Sequence, residues 1–534
     1  MCSRRGLLSR LFHSVVLLSL ALLAVANHAQ ETRPAPSHAT RTVTLANSIA
    51  SLLAQPGSAY AHWGISVVTL GGKPIYALND NQYFHPASSA KLFTTATVFA
   101  LLPSGLTFTT RVVSGTAPDA SGTVHGDLVI LGVGDANMSG RTIPYGGRTE
   151  RPEPPLAALE QMADQIVLHG VHSVAGDIVG DDTWFPLERY GTGWSWGDLE
   201  WGYGAPVSAL TVNDNVVYLN ILPAAHVGET SLASWLPGTS YYTLENSLMT
   251  ADPQALHQPG IERQPGSLSV RIFGQTPLGK DGVHVALSIE DPAEYAARSL
   301  KEMLAARGVQ ITGTARARHR LLADTGEYLR EQAQPIELHP VSLATVEAPV
   351  AGQTILAAHV SPPLGQDLVV TNKVSQNLHA EIMLRDLGKL QGADGSVSEG
   401  ARVVRQFLVE AGIPASDFLF FDGSGLSQQD LVTPRAFTTL LSYAAQQSWG
   451  EAFRASLPVG GVDGTLNARF RQPLLNGKVF AKTGTLDEAA ALSGYVIAAS
   501  GQTVVFSILS SDHLPGSRPD LTIDKIVAAI ARAN

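Results

Sequence analysis

The chain has almost no cysteine: Cys2 is the only one in 534 residues. Everything after it is free of thiols, which excludes disulfides, a cysteine nucleophile and cysteine metal ligands. Charge is sparse too. Asp, Glu, Lys and Arg make up 15% of the residues and the formal net charge is −10. No basic stripe is present to neutralise phosphates, so nucleic-acid binding falls away. An H-E-x-x-H pair and a P-loop are both missing. "HGVH" (169–172) has two histidines but no carboxylate partner nearby, and reads as structural.

Long apolar runs are also lacking. The one candidate, "LFHSVVLLSLALLAVA" (11–26), is short for a membrane span. Arg4, Arg5 and Arg10 precede it, and small residues follow at Ala24, Ala26 and Ala29. That order describes a cleavable secretory signal over 1–29. Ser3-Arg4-Arg5 has something of a twin-arginine signal, but the very apolar core suits the general export route better. Residues 30–43 read as a flexible lead-in. An exported chain without disulfides is expected in a bacterial periplasm.

What remains is an ordinary globular composition, 45% hydrophobic, of a length that suits two to four domains at about 150 residues each. "HWGISVVTL" (62–70), Gly71-Gly72 and "KPIYALN" (73–79) predict a β-hairpin. Residues 91–102 predict a buried helix stopped by Pro103 and Gly105. From 107 to 355 short β-type runs alternate with turn residues, as in "GDLVILG" and "LSVRIFG", predicting one or two mostly β modules. From 356 helical spacing returns. Three strands ("NGKVFAKTGT", "AALSGYVIAA", "QTVVFSILS") and a closing amphipathic helix finish the chain. The hairpin and the three strands can form one antiparallel sheet covered by helices, an α+β fold with its two parts at 44–106 and 356–534.

Three short motifs carry candidate chemistry. Ser88 and Lys91 lie three apart at a helix start, on one face, so a buried amine with a lowered pKa can reach the hydroxyl. Ser375-Gln376-Asn377 sits where a loop enters a helix, and alone reads as a cap. Lys482-Thr483-Gly484-Thr485 ends a strand, offering a cation, two hydroxyls and a glycine that would let a substrate strand approach closely. "GWSWGDLEWGYGAP" (193–206) could stack a sugar or peptide, but reads first as a packed loop.

S-x-x-K, S-x-N and K-T-G in that order form the signature set of the active-site-serine penicillin-recognising enzymes. The chain resembles the D-alanyl-D-alanine carboxypeptidases/endopeptidases of the penicillin-binding protein 4 type (low-molecular-mass class C). The spacing favours that group: 375 − 88 = 287 residues separate the first two motifs and 482 − 375 = 107 the last two. "GDLVILGVGD", "YGAPVSALTVNDN", "FDGSGLSQQDLVTP" and "LPVGGVDGTL" extend the likeness along the chain. One departure is Asp430, where many relatives carry asparagine.

The resemblance implies the penicillin-recognising serine-enzyme fold, with the β modules inserted between the S-x-x-K and S-x-N motifs. It implies Ser88 as nucleophile, Lys91 as its base, Ser375 as proton relay, and Asn377 as holder of Lys91 and the substrate amide. Lys482, Thr483, Gly484 and Thr485 would bind the substrate's end, with the Ser88 and Thr485 amides as oxyanion hole. Expected partners are peptidoglycan stem peptides and β-lactams as acylating inhibitors, with no metal, cofactor, nucleic acid or permanent membrane anchor. A β-lactamase, a transpeptidase and a non-catalytic penicillin- or peptidoglycan-binding module are the alternatives. Ser89, rotated off the Lys91 face, is expected to make local hydrogen bonds.

Overall fold

The structure, a computed structural model, describes residues 44–147, 154–322, 326–514 and 516–534. The signal and the lead-in expected over 1–43 lie outside the described residues. Helix α1 (Leu45–Leu53) starts at Thr44, whose hydroxyl accepts the Asn47 amide at 3.3 Å. Strands β1 (His62–Thr69) and β2 (Pro74–Leu78) form the expected hairpin, with Gly72 at φ +84° closing the turn. A 3₁₀ turn at Ala87–Ala90 then runs into α2 (Lys91–Leu101).

The inserted segment begins with β3 (Thr107–Ser114) and β4 (Leu128–Leu131), followed by α3 (Ala157–Leu168) and β5 (Ile178–Pro186). After smaller sheets come α4 (Pro292–Ala306), β6 (Ala315–Arg320), β7 (Thr345–Glu347) and β8 (Thr354–Val360). These strands make a six-stranded sheet in the order β6-β5-β4-β3-β7, with β8 also on β3. Two features differ from the sequence expectation. The segment carries two long helices: Asp291 caps α4 by accepting the Glu294 amide, and Gly180 lets it seat, since a Cβ there would lie 2.0 Å from the Ala293 carbonyl oxygen. And residue 355 falls inside β8, which pairs antiparallel with β3. The excursion therefore leaves and returns on neighbouring strands.

The chain continues through α5 (Leu364–Lys373), α6 (Asn377–Gln391), α7 (Val397–Glu410) and α8 (Pro434–Ala444). It ends with β9 (Val479–Thr485), β10 (Ala490–Ile497), β11 (Thr503–Ser511) and α9 (Pro519–Ala533). The five-stranded sheet has the order β2-β1-β11-β10-β9, antiparallel throughout. Its central strands are apolar on both faces because both are covered. Val504, Phe506 and Ile508 face Ile49 of α1 and Ile526 of α9, whereas Val505 and Leu509 join Phe93 of α2 and Phe437 of α8. Each such fully buried side chain contributes about 1.5–3 kcal/mol. That packing sets β9 beside the turn that begins α2. Among the described residues no helix is long and apolar enough to cross a membrane.

Candidate active site

Ser88 occupies the 3₁₀ turn ahead of α2, reached through Ala87 at φ +46°. Lys91 is the first residue of α2 and fully buried. Its Nζ donates to Ser88 Oγ at 3.0 Å, to Asn377 Oδ1 at 2.6 Å and to the Ser424 carbonyl at 2.7 Å. Three acceptors match the three protons of an ammonium, which is what keeps so dry a cation tolerable.

The other two motifs meet beside this pair. The helical stretch 364–391 breaks at Ser375, whose φ is +62°, so Asn377 opens α6 with its amide aimed at Lys91. From the adjacent strand, Lys482 Nζ donates to Ser375 Oγ at 2.8 Å and to the Thr483 carbonyl at 2.9 Å. Thr483 Oγ1 lies 2.8 Å from Thr465 Oγ1. Ser88, Ser375, Asn377, Thr483 and Thr485 line one cleft of about 460 Å³, whose far wall is Ser195, Asp198 and Tyr203. The structure thus brings every sequence-predicted site residue together, with Gly484 held in place by a packing requirement given below.

The family model of the D-Ala-D-Ala carboxypeptidase 3 (S13) family matches residues 45–336 and 322–533. The chain belongs to this family. It is 30% identical over 509 residues to a D-alanyl-D-alanine carboxypeptidase of Actinomadura sp. (strain R39), covering 93% of this chain and 86% of that protein. It is 24% identical to the D-alanyl-D-alanine carboxypeptidase DacB of Haemophilus influenzae, over 80% of each. The fold is that of penicillin binding protein 4 from Haemophilus influenzae: the TM-score is 0.71 at 21% identity, covering 90% of this chain and 98% of that one.

For an S13 carboxypeptidase the electrostatics of the two lysines matter most. Burial pulls Lys91 down to about 7, against the upward pull of Asp422, Glu381 and Asp430. Lys482 is held well below the usual lysine range by burial and by the neighbouring Lys91. The acidic groups below Lys91 are shifted the other way: burial and Asp422 push Glu381 up to about 7 and hold Asp430 well above the carboxylate range.

Asp430 accordingly keeps its proton in the folded state. Its Oδ1 accepts the Phe421 amide at 2.7 Å, and its buried Oδ2 has no donor partner. A retained proton lets the carboxyl donate to Asp422, as an amide would. The unfolded chain loses that proton first as pH rises above about 4, so the folded state is progressively disfavoured towards neutrality. Asp430→Asn should raise the thermal midpoint near neutral pH by a few degrees, with the gain vanishing towards about pH 4 when melts are compared across pH.

Gly484 has a structural reason of its own. A Cβ at this position would lie 2.5 Å from the Pro86 carbonyl oxygen and 3.0 Å from the Ser89 amide nitrogen. The missing side chain makes room for the turn that carries Ser88. Ser89 makes the expected local bond, its amide donating to the Pro86 carbonyl at 3.2 Å, and is also tied to β9, where its Oγ donates to the Lys482 carbonyl at 3.2 Å across 393 positions. Gly484→Ala should push the nucleophile turn off the strand and slow acylation about 100-fold, measured as the rate of penicillin adduct formation.

Two contributors escaped the sequence reading. The Ser424 carbonyl reaches Lys91 because Asp422 folds its loop, accepting the Ser424, Gly425 and Ser427 amides at 3.1, 2.6 and 2.7 Å. The Tyr203 carbonyl accepts the Asn377 side-chain amide at 2.8 Å. Of the tryptophan-rich stretch, Trp194 is half-buried, its Nε1 donating to Asp422 at 2.8 Å, whereas Trp196 is 77% exposed, and the stretch also walls the cleft. The D-G-S-G turn in "FDGSGLSQQD" was the only signal available for the first, and nothing in the sequence marked the second.

Proposed function

We propose that the chain is an exported serine D-Ala-D-Ala carboxypeptidase/endopeptidase that cleaves peptidoglycan stem peptides through an acyl-enzyme on Ser88. The observation that carries this reading is the Lys91 ammonium shared between Ser88 Oγ and Asn377 Oδ1. Neutral Lys91 accepts the Ser88 proton as Oγ attacks the carbonyl of the penultimate D-alanine. The Ser88 and Thr485 amides would hold the oxyanion. Ser375, bonded to Lys482, relays to the departing amine the proton that Lys91 took, and the C–N bond breaks. The amine is free D-alanine in the carboxypeptidase reaction and a cross-link amine in the endopeptidase reaction. Water then attacks the ester and returns the proton to Ser88.

The substrate's terminal carboxylate would lie by Lys482, Thr483 and Thr485. Its negative charge favours the ammonium form of Lys482 that burial opposes. A β-lactam mimics the D-Ala-D-Ala end and stays attached to Ser88. A cleaved signal at 1–29 would deliver the enzyme to the periplasm, where its substrate lies.

One purified sample tests the reading with two measurements. Mass spectrometry locates the adduct of a labelled penicillin, and an assay follows D-alanine release from a stem-peptide analogue. An adduct anywhere but Ser88 sinks the mechanism. An adduct without D-alanine release favours a transpeptidase or a binding module, and rapid turnover of the penicillin favours a β-lactamase.

A further inference from the structure

The inserted segment contains a turn with three consecutive left-handed residues, none of them glycine. Asn213, Asp214 and Asn215 have φ of +50°, +52° and +54°. Such backbone costs energy and persists where the surroundings impose it. The two asparagines supply much of that constraint. Asn213 Nδ2 donates to the Val216 carbonyl at 2.8 Å. Asn215 accepts the Val212 amide at 3.2 Å and donates to the Pro206 carbonyl at 2.9 Å. The strained turn presents Asp214, almost fully buried, to the S-x-N loop.

Asp214 Oδ2 accepts from Gln376 Nε2 at 2.6 Å and from the Arg141 guanidinium at 2.5 Å. Its Oδ1 lies 3.4 Å from His379 Nε2, on the first turns of α6. The other side of that ring meets Asp367 at 2.6 Å. Gln376 is the middle residue of Ser375-Gln376-Asn377, and its own Oε1 accepts the Leu378 amide at 3.3 Å. It therefore has one hand on the start of α6 and the other on the inserted segment. Ser375, next to it, is itself left-handed at φ +62°.

We propose that Asp214 is a positioning residue for acylation: through Gln376 it fixes the Ser375-Gln376-Asn377 loop, left-handed at Ser375, against Lys91 and Lys482. The inserted segment then takes part in catalysis through this half-buried hydrogen bond, beside the one from Asn377 to the Tyr203 carbonyl. His379, opposed by burial but pushed up to about 9 by the Asp367 and Asp214 carboxylates, sets a second cation beside Asp214. The proposal rests on Ser88 being the acylated residue.

The test uses the purified chain, labelled penicillin and the rate of Ser88 adduct formation. Gln376→Glu keeps an acceptor for the Leu378 amide but sets a carboxylate against Asp214. Acylation should slow about tenfold while the thermal midpoint changes little. Adding Asp214→Asn gives the introduced carboxylate a donor and should recover most of the rate, which a role confined to capping α6 would not produce. A Gln376→Glu rate equal to the parent's overturns the proposal, whatever the double variant does. So does a folded double variant no faster than Gln376→Glu. A parent protein that takes no adduct at Ser88 instead overturns the functional reading on which this one stands.

Discussion

Ser88→Ala abolishes both penicillin labelling and D-alanine release, with a loss of about 10⁴-fold or more in turnover. Removing Oγ leaves no group to form the acyl bond, because Ser89 cannot substitute: its side chain is fully buried and bonded to the Lys482 carbonyl at 3.2 Å. Ser89→Ala should keep the label. It costs the turn one tie to β9, so its expected signature is a lower melting temperature with acylation still at Ser88. The pair of variants, read by mass spectrometry and by D-alanine assay, separates two adjacent serines that a motif search treats alike. A label that persists in Ser88→Ala at the parent's rate would mean the nucleophile lies elsewhere.

Lys91→Met slows acylation by about 10²–10⁴-fold and removes its pH dependence. The base must be the neutral amine, and burial has brought its pKa to about 7. In the parent enzyme the acylation rate should therefore rise tenfold per pH unit below about 7 and level off above it. Protonated Lys91 donates to Ser88 Oγ and cannot also accept its proton. The methionine variant keeps the volume but has no titrating group, so its residual rate should be flat across that range. A surviving limb near pH 7 in Lys91→Met would transfer the base role to another group, with Lys482 the nearest candidate.

Much of the fold was legible because its determinants are local. The 62–79 hairpin follows from two alternating runs around Gly71-Gly72, and the three C-terminal strands from the same pattern. The helices α3 and α4 were not legible among the short β-type runs of the insertion. Their apolar faces declare themselves only against the six-stranded sheet, where Gly180 lets the Ala293 backbone come close. The site residues were legible as a set, since each motif's residue types suit one chemistry and their order suits one group of enzymes.

By itself the sequence determined which side chains are candidates for chemistry: two serines, two lysines, an asparagine and two threonines, in three short motifs. The tertiary structure alone decided what holds them in register. The Ser424 carbonyl on Lys91 spans 333 positions and the Tyr203 carbonyl on Asn377 spans 174. Both are backbone groups, which every residue possesses, so no residue type announces them. The same holds for Gly484, whose glycine answers the Pro86 carbonyl of a distant turn, and for Asp214, which a run of left-handed backbone carries to Gln376. Motifs specify donors and acceptors, whereas the path of the chain chooses which of them meet.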